Sequence, residues 1–74
     1  MATKTEIKRS YIRNLQATYP FYTEGSRPLE LANLAADAAL MGAQKINGAC
    51  WDAALKENGL PKSITLKALK ALPA

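Results

Sequence analysis

The sequence contains no histidine and a single cysteine, Cys50. Without histidine the commonest general base is missing, and so is cysteine's usual companion in a zinc site. One cysteine cannot close a disulfide within the chain. The four glycines, Gly25, Gly42, Gly48 and Gly59, give no Gly-x-Gly-x-x-Gly spacing of the kind that cradles phosphate. Strand signals are nearly absent, with no period-two alternation and few runs of Val, Ile or Thr. Long apolar runs are missing too. The stretch from Leu29 to Ala43 is interrupted by Glu30, Asn33 and Asp37 and falls short of the roughly 20 residues a membrane span needs. The segment Met1 to Glu6 carries no apolar run, so no secretory signal is expected. A lone thiol suits a reducing compartment. These absences lead to the expectation of a cytoplasmic chain with no cofactor, no metal and no membrane contact.

What is present favours helix. Ala, Leu and Lys dominate the 74 residues, which are read as one helical domain, 1–74. A chain this short buries only about 60% of the surface its unfolded form exposes, so its core is marginal. Stability must come from close helix packing, from a partner or from a second copy of the chain.

The pattern predicts a first helix from about Lys4 to Thr18. Thr3 and Glu6 have capping-box spacing, and Ile7, Tyr11, Leu15 and Tyr19 recur every four residues. Pro20 ends that helix. The main loop then runs from Tyr19 to Pro28. A second helix is predicted from Ser26 or Arg27, with Pro28 in its first turn, to roughly Lys45. Along it Glu30, Asn33, Asp37 and Gln44 share a narrow polar stripe, while Leu31, Leu34, Ala38 and Met41 lie to one side. Ala32, Ala35, Ala39, Gly42, Ala43 and Ile46 form a small-residue face. A helix apolar most of the way round reads as the central element of a compact all-α bundle of three to four helices.

Asn47-Gly48 follows, either as a break, with Asn47 capping a third helix from about Ala49 to Glu57, or as a bend in one continuous helix. Asn58-Gly59-Leu60-Pro61 reads as a helix stop, with glycine in the left-handed position. Ser63 is then expected to cap a short fourth helix reaching Leu72.

No catalytic set emerges. Cys50 beside Trp51 reads as a buried structural thiol. Glu30 and Asp37 stand about two turns, ~10 Å, apart on one helix, too far for paired acid–base work. A helix-turn-helix formed by the last two helices would offer Thr65, Lys67 and Lys70 but no Arg, Asn or Gln to read base edges. The chain is therefore not expected to be an enzyme.

Binding is the remaining class. The net charge is +4. Residues 1–19 carry Lys4, Lys8, Arg9 and Arg13 against Glu6, and residues 59–74 carry Lys62, Lys67 and Lys70 with no acid. The middle is slightly acidic. The aromatic residues Tyr19, Phe21 and Tyr22 flank Pro20, and together with Arg9 and Arg13 they form the expected partner-binding set, with Phe21 inside and a tyrosine outside. The expected function is a small non-enzymatic protein-binding module: an inhibitor, adaptor or regulatory accessory protein, in the size class of those carried by mobile elements or phage. The alternative is a nucleic-acid binder without sequence preference, using Lys4, Lys8, Arg9 and Arg13 of the first helix as phosphate contacts.

Overall fold

A computed structural model describes residues 2–74. Its first helix, α1 (Lys4–Thr18), begins as the sequence predicts. The Glu6 N–H donates to Thr3 Oγ1 and the Thr3 N–H to Glu6 Oε1, both at 3.1 Å. This reciprocal cap satisfies two backbone donors that the first turn leaves without partners. Ile7, Ser10 and Leu15 form the buried face. At the far end Tyr19 is extended, as a residue preceding proline must be.

Helix α2 (Arg27–Leu40) is capped by Ser26, whose Oγ accepts from the Leu29 N–H, and Pro28 sits in its first turn. It stops well short of Lys45, correcting the sequence expectation. The cause is Gly42, at φ +78°. The Gly42 N–H donates to the Ala39 carbonyl and the Ala43 N–H to the Ala38 carbonyl, at 3.0 and 2.9 Å. This Schellman closure consumes the last carbonyls and turns the chain away. Ala43, Gln44 and Ile46 therefore leave the helical faces assigned to them. A Cβ on Gly42 would also meet the Lys70 side chain at 3.3 Å. Gly42→Ala is expected to destabilise the fold by more than about 1 kcal/mol, because both the backbone and the space oppose it. Gly25 has a similar φ of +79° but open space around it, so Gly25→Ala should cost less. Urea midpoints of the two variants check the order.

Residues 41–48 separate α2 from α3 (Ala49–Glu57), so the two are not one bent helix. Gly48, not Asn47, is the N-cap, and no side chain caps this end. The predicted stop at Gly59 is present: the Gly59 N–H reaches the Lys56 carbonyl and the Leu60 N–H the Leu55 carbonyl, at 3.0 and 2.9 Å. Helix α4 (Leu66–Lys70) is shorter than expected. Ser63 lies in a separate turn, where the Ile64 N–H bonds the Pro61 carbonyl, and Thr65 is the cap instead.

Helix α1 packs on α3 and α2, and α2 packs on α4. The core joins Ile7, Ala36, Ala39, Leu40, Trp51, Leu55 and Leu69, so α2 supplies more of it than any other helix. Ala36 and Ala39 are fully buried, letting the neighbouring helices approach closely. Half-buried Ala35 lies outside that core. The opposite face of α2 is open. Leu31, Leu34 and Met41 are 49%, 58% and 68% exposed, so the helix is apolar on a buried side and on an outward side. The Lys4 N–H bonds the Pro73 carbonyl at 2.8 Å, tying the chain's ends together. No strand occurs among the described residues, and the radius of gyration, 11.4 Å, is that of a compact chain of this length, about 11 Å.

Candidate functional site

The loop after α1 is built from local constraints. Pro20 forces the chain out of the helix, and the Tyr22 N–H turns back to the Tyr19 carbonyl at 3.3 Å. A second turn, Ser26 N–H to the Thr23 carbonyl, leads into α2. Between them three rings pack on one another. Centroids lie 4.7 Å apart for Phe21–Tyr22, 5.6 Å for Tyr19–Phe21 and 5.8 Å for Tyr19–Tyr22. These separations suit aromatic pairing.

The rings do not seal the core. Tyr19 is 43% and Phe21 56% exposed, with Tyr22 half-buried. Phe21 is thus the outward ring, reversing the expected order. The place it was expected to fill is already taken. Tyr11 and Trp51 meet edge to face there at 5.1 Å and 89°. Together with Leu15 they floor a cleft of about 240 Å³, walled on one side by the three loop rings and on the other by Ile46 to Cys50. The Tyr11 hydroxyl is pushed above the usual tyrosine range, chiefly by burial and then by Tyr22 and Cys50. It stays neutral at ordinary pH and offers a hydrogen bond, not a base. Cys50 is half-buried in the wall of this cleft, with Sγ 3.8 Å from Thr18 Oγ1, and is not the fully buried thiol expected.

The cationic residues of α1 lie elsewhere. Lys8, Arg9, Ile12, Arg13 and Gln16 line a groove of about 390 Å³ against Asn33 of α2. Glu24 at the far end of the aromatic loop reaches it and accepts from Gln16 Nε2 at 3.3 Å. The structure therefore brings Tyr19, Phe21 and Tyr22 together, and Arg9 with Arg13, but in two different clefts joined by one loop. Lys8 is paired with Asp37 at 2.8 Å and Arg13 with Glu57 at 2.6 Å. Lys4 and Arg9 make no ion pair among the described residues. The polar stripe of α2 is used similarly, since Arg27 holds Glu30 at 2.7 Å and Lys8 holds Asp37.

Glu57 also accepts from Asn14 Nδ2 at 2.8 Å. That hydrogen bond, followed by Arg13, holds its carboxyl below the usual glutamate value of 4.5. A carboxyl depressed by folding contributes stability above its unfolded value, and the contribution is lost as pH falls through the folded one. Wild type should therefore lose urea resistance between about pH 5 and about pH 3 more steeply than Glu57→Gln, and salt should shrink the difference because the site is exposed. Parallel slopes for the two proteins would show that the α1–α3 bridge contributes nothing.

Three features carry little sequence signal. The cleft wall from Ile46 to Trp51 is separated from the rings by more than twenty positions and is recruited only by the early stop of α2. The half-buried link from Asn58 Nδ2 to Ser10 Oγ, 3.2 Å, joins α3 to α1 through a side chain of the helix stop and a serine that belongs to no pattern. The outward row Leu31, Leu34 and Met41 is one of two apolar sides of α2, and nothing in the sequence marks it as the exposed one.

Among the described residues no three His, Cys, Asp or Glu side chains converge on a metal position, and no helix is long and apolar enough to cross a membrane. No protein-family model, characterised protein or solved structure matches this chain.

Proposed function

We propose that this protein is a non-enzymatic binding module, an inhibitor, adaptor or regulatory accessory protein of the cytoplasm, that docks onto a protein partner through its aromatic loop. The observation that carries this reading is the exposure of Tyr19 and Phe21 beside a ready-formed cleft. A small fold short of core would gain stability by burying these rings, yet it holds them at the surface. The rings are already packed on each other, so little side-chain freedom is lost on association. A partner's apolar side chain would enter between Phe21 and the Ile46–Cys50 wall. Tyrosine hydroxyls and backbone groups at the rim would select its orientation. Arg9, in the adjoining groove and without an ion pair among the described residues, would meet a carboxylate on the same partner.

The test is affinity capture from nuclease-treated lysate with three immobilised forms: wild type, Tyr19→Ala/Phe21→Ala, and Leu34→Lys on the outer face of α2. Wild type and Leu34→Lys should retain the same protein in near-stoichiometric amount, and the double variant should lose it. Retention by the double variant with loss by Leu34→Lys would move the docking surface to α2. If nuclease treatment removes everything captured, the module does not act on a protein.

A further inference from the structure

Four of the cations that no carboxylate pairs among the described residues, Lys45, Lys62, Lys67 and Lys70, belong to the exit of α2 and the chain after α3. Three of the six acidic residues are spent in ion pairs with Lys8, Arg13 and Arg27. Glu6 closes the α1 cap, and Glu24 holds Gln16. The chain after Asn58 carries Lys62, Lys67 and Lys70 and no acid at all. The early stop of α2 adds a fourth lysine. Gly42 lies against the side chain of Lys70, which fixes the exit of α2 alongside α4. Three residues on, Lys45 lines a cleft of about 180 Å³ together with Lys62, with the hydroxyl residues Ser63 and Thr65 on the same lining. Lys67 and Lys70 stand one turn apart on α4 and are exposed. None of the four ammonium groups lies within ion-pair distance of a carboxylate among the described residues. Asp52 borders a second cleft with Lys56 and Lys62 and forms no ion pair with either among the described residues.

Lys45 and Lys62 on one cleft lining, and Lys67 and Lys70 on the helix that borders it, are like charges that repel one another. A polyanion relieves that repulsion and releases its own counterions in doing so. Lysine is a compact charge on a flexible stem, suited to phosphate oxygens at variable spacing. No arginine or asparagine lines that cleft to read base edges, and its one ring, Trp51, is buried and not free to stack on bases. We infer that the surface formed by Lys45, Lys62, Lys67 and Lys70 binds the phosphate backbone of nucleic acid without sequence preference, at a place separate from the aromatic loop. On α1, where basic sequence alone points, Lys8 and Arg13 are already neutralised by Asp37 and Glu57, which leaves two cations, Lys4 and Arg9, against four here.

The experiment is fluorescence anisotropy of a labelled mixed-sequence DNA duplex titrated with the full chain over a range of potassium chloride. Four phosphate contacts should give a log–log salt slope of about −3.6, so affinity should fall roughly a hundredfold between about 50 and about 200 mM salt. Lys45→Gln, Lys67→Gln and Lys70→Gln should each flatten the slope by about one. The triple variant should bind little, with its circular dichroism unchanged because all three side chains are exposed. Lys8→Gln and Arg13→Gln should leave the slope alone, and two unrelated duplexes should bind alike. Absence of binding at the lowest salt overturns the inference. So does a slope that responds to the α1 variants in place of the α4-end ones, strong preference for one duplex, or equal competition by polyglutamate of matched charge.

Discussion

Ala39→Glu is expected to leave no folded protein. Ala39 is fully buried in the cluster that joins α2 to Ile7, Trp51, Leu55 and Leu69. A glutamate there has no room and no partner. Overpacking costs roughly 1–3 kcal/mol, and burying a charge without compensation adds several more. A domain of this length has about 4–11 kcal/mol to lose at ordinary stability per residue. Ala36→Glu should behave the same way, since Ala36 is equally buried. Ala35→Glu, half-buried and outside the cluster, should fold with a lowered midpoint, and Leu34→Lys should melt close to wild type because Leu34 is 58% exposed. Circular dichroism and thermal melting of the four variants read the orientation of α2 directly. If Ala39→Glu melts like wild type, the packing of α2 on α1 and α4 is misassigned.

The largest expected effect on function comes from Phe21. Phe21→Ala should weaken partner binding by about 2 kcal/mol or more, roughly thirtyfold, the range of an interface hot spot. Tyr19→Ala should cost less directly, because its ring is the less exposed of the two and supports Phe21 at 5.6 Å. The two losses should not add, since removing Tyr19 also loosens Phe21. Stability should change little in either variant. Isothermal titration with the captured partner measures both. Arg13→Glu provides a contrast, because Arg13 already serves Glu57. Its reversal should disturb the α1–α3 bridge before it touches the partner.

The features legible in the sequence are those governed by neighbours a few residues apart. Thr3 and Glu6 announce the start of α1, Pro20 its end, Ser26 and Pro28 the start of α2, and Gly59 the end of α3. Each acts through backbone geometry or a hydrogen bond spanning three to five positions. The end of α2 defeats that logic. Ala43, Gln44 and Lys45 are good helix formers, and Gly42 alone does not forbid a helix. It becomes a stop because its left-handed turn closes two carbonyls and because Lys70, distant in sequence, fills the space beside it. The direction in which α2 faces is likewise nonlocal. Its apolar residues surround most of the helix, so periodicity cannot choose between Ala36–Ala39 and Leu31–Leu34 as the inner side. The choice is made by the partners. Alanines permit the close approach that Ile7, Trp51 and Leu69 require, and the leucines are left outside. The same dependence hides the site. The three rings are visible as a cluster around Pro20, but that Phe21 faces outward follows from the Tyr11–Trp51 contact occupying the floor. The separation of Arg9 and Arg13 from the rings follows from helix rotation and from the loop's path to Glu24.

As proposed above, the aromatic loop is the surface through which this protein would meet another protein. The most direct measurement places the photo-crosslinking amino acid benzoylphenylalanine at Phe21 of the full chain in cells. A control chain carries it at exposed Lys56 of α3, which lines neither the ring cleft nor the Arg9 groove. Irradiation at position 21 should give one discrete adduct with a single protein that persists after nuclease treatment, and position 56 should give none. No adduct at 21, or the same smear of adducts at both positions, would mean that the loop does not dock a protein.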